Sequence, residues 1–419
     1  MRTPRHPAVC ALLAAAAVAA CQDREPLAPA RPQMQSGIAA TADPTSLAAL
    51  GKAIFFDATL SANGNQSCAS CHAPEVGWTG PTAAVNAAGT VYEGSIPGRF
   101  GNRKPPSSAY ATPSPVFHLA LDKKDALFVG GNFWDGRATG DRLGNPAAEQ
   151  ALGPFLNPAE QALATPADVV NRICAGPYAA LFVDAWGPDI CATANVAEAY
   201  DAVGLSVAAF EGSPESNAFS SKYDLYRAGA VALSHEERLG LNLFRGKGKC
   251  GACHTLDDEA ALFTDFTFDN LGIPGNPENP WYGMPANPDG AAWIDPGLAG
   301  FLMSSVDYQA LAEENRGKHK VPTLRNVDRR PDPGFVKAYG HNGYFKSLEG
   351  IVHFYNTRDV TPTCPGPYTE VQALAANCWP APEVAANVNT AELGNLHLTP
   401  SQEQAIVAFL RTLSDGYQQ

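Results

Sequence analysis

The chain has no cluster of lysine and arginine, and its formal net charge is -13. That balance argues against nucleic acid as a partner and leaves an acidic surface, suited to solubility or to meeting a basic protein. A membrane-spanning run is missing from the start of the chain, because the apolar stretch from Ala8 to Ala20 is too short to cross a bilayer as a helix. Methionine is scarce: beyond Met1 there are only Met34, Met284 and Met303, which leaves little scope for a thioether metal ligand. Long periodic stretches are also few, and the middle of each half is rich in glycine and proline.

Against this background two short motifs stand out, Cys68-Ala69-Ser70-Cys71-His72 and Cys250-Gly251-Ala252-Cys253-His254. Each reads as a c-type haem attachment, with two thiols to add across vinyl groups and an imidazole to reach the iron. A chain of 419 residues with 10 Cys and 9 His yields only about 0.005 such matches by chance, so a pair of them carries weight. A redox CxxC or half a zinc site is the bland alternative. Two covalent haems are expected, with His72 and His254 as proximal ligands.

The opening residues, with Arg2, Arg5 and the short apolar run, read as a secretory signal. Val18-Ala19-Ala20-Cys21 resembles a lipobox that would leave Cys21 lipidated, although the same small residues suit an ordinary signal-peptidase site. The expected plan is a signal over 1–21, a flexible tether over 22–43, and two haem domains over 44–225 and 226–419. The remaining cysteines, Cys174, Cys191, Cys364 and Cys378, fit disulfides in an oxidising compartment. Pairing of sequence neighbours is the simplest of three connectivities.

Amphipathic helices bracket each motif. Leu47, Leu50 and Ile54 share a face near Thr45-Ser46, and a capping box at Ser234 to Glu237 opens a helix through Leu239, Leu243 and Phe244. Aligning Leu50-Gly51 with Leu239-Gly240 exposes a diverged internal duplication. Closing helices follow over Val196 to Phe210 and after Thr399-Pro400-Ser401-Gln402. The expected fold is mainly α, two class I cytochrome c-like domains with one haem each.

With these motifs, Phe133-Trp134-Asp135-Gly136-Arg137, Gln150 to Pro154, Asn157-Pro158-Ala159-Glu160, Lys320 to Asn326 and His341-Asn342-Gly343 occur in an order that resembles the bacterial di-haem cytochrome c peroxidase family, which includes the MauG enzymes. The resemblance implies a peroxidatic amino-terminal haem, and a carboxy-terminal haem fed by a small cytochrome c or copper protein. It implies Glu160 as the distal acid-base group, Gln150 and Pro154 beside it, and Trp134 as a relay. Locally, Asn157 to Glu160 also reads as a capping box, and an isolated tryptophan as core.

Two departures bear on subtype. No histidine occurs between His72 and His118, so the first iron is expected to stand open. The family's methionine, fourteen residues past the His-Asn/Asp-Gly histidine, falls here on Tyr355, as in MauG enzymes; Tyr355 also sits in an apolar stripe with Leu348 and Ile351. His341 is expected to be a haem-pocket residue. The resemblance further implies a calcium ion, but Tyr110 stands where its asparagine should be, leaving backbone oxygens near Val336 and Ala338. The chain is thus expected to be a periplasmic, lipid-anchored peroxidase acting on hydrogen peroxide, with a MauG-like oxidant of a partner protein and a plain electron carrier as the alternatives.

Overall fold

The structure is a computed structural model that describes residues 40–122, 125–256 and 260–418, without side chains from 122 to 125. The expected signal, Cys21 and the tether as far as residue 39 lie outside the described residues. Residues 40–43 are docked: the Thr41 amide donates to Ala185 O at 2.8 Å, and Ala40 and Ala42 pack on the first core.

Helices make up most of the regular structure. In the first half they are α1 (Pro44–Phe55), α2 (Ala83–Ala87), α3 (Pro146–Leu156), α4 (Pro166–Ala175), α5 (Ala179–Trp186) and α6 (Val196–Glu211). The second half has α7 (Lys222–Arg227), α8 (His235–Arg245), α9 (Leu298–Leu302), α10 (Leu348–Thr357), α11 (Glu370–Ala376) and α12 (Pro400–Arg411). Strands β1 (His118–Asp122) and β2 (Asp125–Val129) form an antiparallel hairpin, and β3 (Phe268–Asp269) pairs with β4 (His319–Lys320).

Local signals explain most helix starts. Ser234 and Glu237 exchange bonds at the head of α8, at 3.1 and 2.7 Å, and Thr399 and Gln402 do the same for α12, at 3.3 and 3.1 Å. For α1 the cap is Asp43 rather than Thr45: its carboxylate accepts from the Thr45 and Ser46 amides at 2.9 and 3.2 Å, with Pro44 opening the helix.

The duplication is visible in packing. A Cβ on Gly51 would lie 1.8 Å from Ser206 O, and one on Gly240 would lie 1.9 Å from Ala405 O. Each opening helix therefore crosses its closing helix, α1 on α6 and α8 on α12, with backbones in contact where only glycine fits. The same pairing recurs one layer in. Phe55 meets Phe210 edge-on with centroids 5.3 Å apart, and Phe244 meets Phe409 at 5.3 Å.

Two cores result. One gathers Leu50, Phe55, Leu152, Phe155, Val203 and Phe210; the other gathers Leu241, Phe244, Phe345, Phe354, Ile406 and Phe409. Polar ties join the halves: the Tyr110 hydroxyl donates to Asp415 at 2.7 Å, and the Lys337 ammonium reaches Val76 O at 2.8 Å. Cys174 is bonded to Cys191, and Cys364 to Cys378. None of the described helices is long and apolar enough to cross a membrane.

Candidate active site

Both CxxCH motifs fold as a single 3-10 turn, over Cys68–Ser70 and Cys250–Ala252, which folds the histidine back so that its amide donates to the first cysteine's carbonyl at 3.0 and 2.9 Å. The four motif thiols are unpaired. His72 Nδ1 lies 3.2 Å from Trp78 O, and His254 Nδ1 lies 2.8 Å from Phe263 O. A carbonyl can only accept, so each Nδ1 carries the proton and each Nε2 keeps its lone pair for a metal. Burial pushes both imidazoles down to about 4, which keeps them neutral and able to ligate at ordinary pH. Burial also pushes the Cys71 and Cys250 thiols up to about 12. Two free thiols beside a neutral imidazole with an open Nε2 are the donor set of a covalent haem, and the chain presents it twice.

The expected distal residues come from α3 and the turn after it. Gln150 and Pro154 are four residues apart on that helix and so share a face. Gln150 lines a cavity with Trp134, Phe133, Pro106 and Tyr110. Asn157 to Glu160 does not start a helix, which corrects the capping-box reading. Asn157 instead closes α3, its Oδ1 accepts from the Ala159 amide at 3.0 Å, and its Nδ2 donates to Glu160 Oε1 at 2.7 Å. Asparagine caps helices and closes Asx turns with the same acceptor, so the local pattern could not separate the two.

Glu160 is partly buried. Its field reaches the first motif, where it adds to the burial that raises the Cys71 thiol. Burial raises its own carboxyl, while the charge of Arg137 and the bond from Asn157 pull it back only in part. A carboxyl lifted in this way can take a proton and return it. Arg137 is held by Asp135 at 2.8 Å and lies over the Phe133 ring at 3.7 Å. Glu149 fastens the preceding loop by accepting from the Gly140, Arg142 and Leu143 amides at 2.8, 2.8 and 2.9 Å. His118 lies on β1 with Nδ1 2.8 Å from Val116 O.

Trp134 is buried, and its indole N–H donates to Lys104 O at 2.8 Å. It lines the cavity with Gln150 and also a larger one containing Cys250, Cys253, His254 and Tyr355. The structure thus brings Tyr355 and His254 to one cavity, with Ile406 and Leu410 among its apolar walls. Burial raises the Tyr355 phenol, with further upward push from Cys250 and Cys253. His353, two residues earlier on α10, turns instead to Glu403 at 3.1 Å. His341 lines the large cavity, stacks on His319 with centroids 3.5 Å apart, and places Nε2 3.2 Å from Glu383.

Residues 45–232 match the family described as di-haem cytochrome c peroxidase. The methylamine utilization protein MauG of Paracoccus denitrificans is 33% identical over 376 residues, covering 88% of this chain and 89% of that protein. The chain belongs to the di-haem cytochrome c peroxidase family. Cytochrome c551 peroxidase of Nitrosomonas europaea is 27% identical over 349 residues, covering 82% of this chain and 79% of its own. The diheme peroxidase BthA from Burkholderia thailandensis superposes with a TM-score of 0.69 at 31% identity, covering 90% of this chain and 89% of that one. This di-haem peroxidase is an oxidoreductase acting on peroxide, and the family implies two haem c groups, for which both CxxCH turns supply suitable donors.

Several residues around the large cavity were not singled out from the sequence. Arg103 pairs with Asp135 at 2.6 Å and with both oxygens of Asp295 at 2.7 Å. Lys104, His319 and Glu383, with Asp295, line the cavity itself. The adjacent Arg103-Lys104 pair in an acidic chain was the available signal. Its partners lie too far along the sequence for any local pattern to connect them.

Proposed function

We propose that this chain is an exported, periplasmic di-haem c-type peroxidase built as two cytochrome c-like domains, over 44–225 and 226–419. Electrons from a small cytochrome c or copper protein enter the second half, pass Trp134, and reduce hydrogen peroxide in the first half. The haem groups, held by Cys68, Cys71 and His72 and by Cys250, Cys253 and His254, supply the redox chemistry and the iron that receives peroxide. The balance is one peroxide, two electrons and two protons to two waters.

The chain's own residues handle the protons. Glu160, as a carboxylate, accepts the proton of the oxygen nearer the first motif and delivers it to the departing oxygen. Gln150 has an amide without a hydrogen bond among the described residues and orients the peroxide or a water. Pro154, one helical turn on, lies on the same face of α3. The observation that carries this reading is Glu160 itself, a partly buried carboxyl of raised proton affinity whose charge acts on the Cys68 and Cys71 thiols. Glu160→Gln keeps the shape and removes the proton carrier. Unchanged peroxide turnover in that variant would remove the assignment.

A second reading is favoured by Tyr355, which shares the cavity of His254. As the distal ligand of that iron, a phenolate would stabilise the ferric state and let the second half hold an oxidising equivalent. That is the requirement for MauG-like oxidation of a partner protein. A plain electron carrier is the outcome if peroxide is not turned over at all. Lipidation at Cys21 would tie the enzyme to a membrane, with 22–39 as tether.

A further inference from the structure

The large cavity around His254 and Tyr355 is lined in part by Lys104, a residue of the other half of the chain. Lys104 is 8% exposed, and no carboxylate pairs with it among the described residues. Its ammonium donates to Thr79 Oγ1 at 3.1 Å and to Pro105 O at 2.9 Å. One of its three N–H groups is left over. Two other lysines on the cavity, Lys337 buried and Lys320 partly buried, differ in this respect. Lys337 donates to the carbonyls of Val76, Asn326 and Arg329, and Lys320 to Ser114, Gly131 and Asn132. Those two ammonium groups are saturated and Lys104 is not.

His319 is a second unfilled donor on the same cavity. Its side chain is 10% exposed and its Nε2 is buried without a hydrogen bond, 3.5 Å from Asp295 Oδ2. Asp295, His319 and His341 lie close enough together to suggest a metal site. Against that, the Arg103 guanidinium already holds both Asp295 oxygens and sets a permanent cation where an ion would sit. Asp269, Asp295, Glu383 and Glu392 also line this cavity, but none of them meets the remaining Lys104 N–H. An anion with two oxygens would satisfy that N–H and the bare His319 Nε2 together.

We propose that Lys104 and His319 grip a carboxylate of the haem bound in this cavity, one of its propionates. This rests on the reading that Cys250, Cys253 and His254 carry a covalent haem. The backbone of Lys104 ties the same residue to the relay, because its amide donates to His341 O at 2.9 Å and its carbonyl accepts the Trp134 indole at 2.8 Å. The first half therefore holds the cofactor of the second half through one side chain, beside the path that electrons take.

The test is a spectroelectrochemical titration of the holoprotein, with the covalent haem count read by mass spectrometry. A cation beside a haem favours its reduced form, so Lys104→Met should carry two haems and show one midpoint potential lowered, the other moving less. Lys104→Arg should restore it. Two attached haems with neither potential moved, or with both moved equally, would overturn the inference. Absence of a haem on Cys250 and Cys253 in the unaltered protein would overturn the reading beneath it.

Discussion

Glu160 carries the sharpest expectation among single residues. If it shuttles the peroxide proton, Glu160→Gln should lower kcat/KM for peroxide by about 10²–10⁴-fold, the usual span for general acid-base groups. The wild-type profile should also have an acidic limb. Glu160 must start as a carboxylate, and burial lifts its pKa, so activity should fall as pH drops through a value above the ordinary 4.5 and the limb should vanish in the variant. A steady-state pH series on both proteins checks this, and an identical limb in the variant would contradict it. Arg103 is the corresponding residue for stability. Burial alone would raise the Asp295 carboxyl, but the charge and bonds of Arg103 override it and hold it well below 3.8. That pairing stabilises the fold above the unfolded pKa and is lost as pH falls through the folded one. Arg103→Ala would strand Asp295 and leave Asp135 to Arg137 alone, and should cost about 3–5 kcal/mol, measured by denaturant unfolding at neutral pH.

At the scale of elements, the paired glycines make the duplication testable. Gly51→Ala and Gly240→Ala each force a methyl group against a helix backbone, at Ser206 and Ala405, and should destabilise by about 1–3 kcal/mol. Thermal unfolding of the two variants should show losses of similar size, and a neutral result in either would contradict the shared crossing. This scale also shows what the sequence made legible. The boxes at Ser234 and Thr399 are local chemistry, complete within a few residues, and α8 and α12 begin where they stand. Asn157 to Glu160 was equally local but ambiguous, since one asparagine pattern serves both a helix start and an Asx turn. Helix α4, whose box joins Thr165 and Asp168, was passed over in a stretch read mainly for its cysteines.

At the scale of the molecule, the polar end of the large cavity was not legible at all. Arg103 reaches Asp295 across 192 positions and His341 reaches Glu383 across 42, distances at which spacing carries no information. The calcium expectation meets a physical competitor there. Val336 O accepts from Asn86, and the Lys337 ammonium already supplies a cation to three carbonyls in this region. Treatment with EGTA should therefore leave peroxide turnover unchanged, whereas a loss restored by calcium would contradict this account. The proposed function turns on an asymmetry between the halves: the haem held by His72 would keep a position free for peroxide, whereas Tyr355, in one cavity with His254, would fill that position on the second haem. Electron paramagnetic resonance of the diferric protein as isolated tests it most directly. The account predicts one high-spin and one low-spin ferric signal, and two low-spin signals would contradict it.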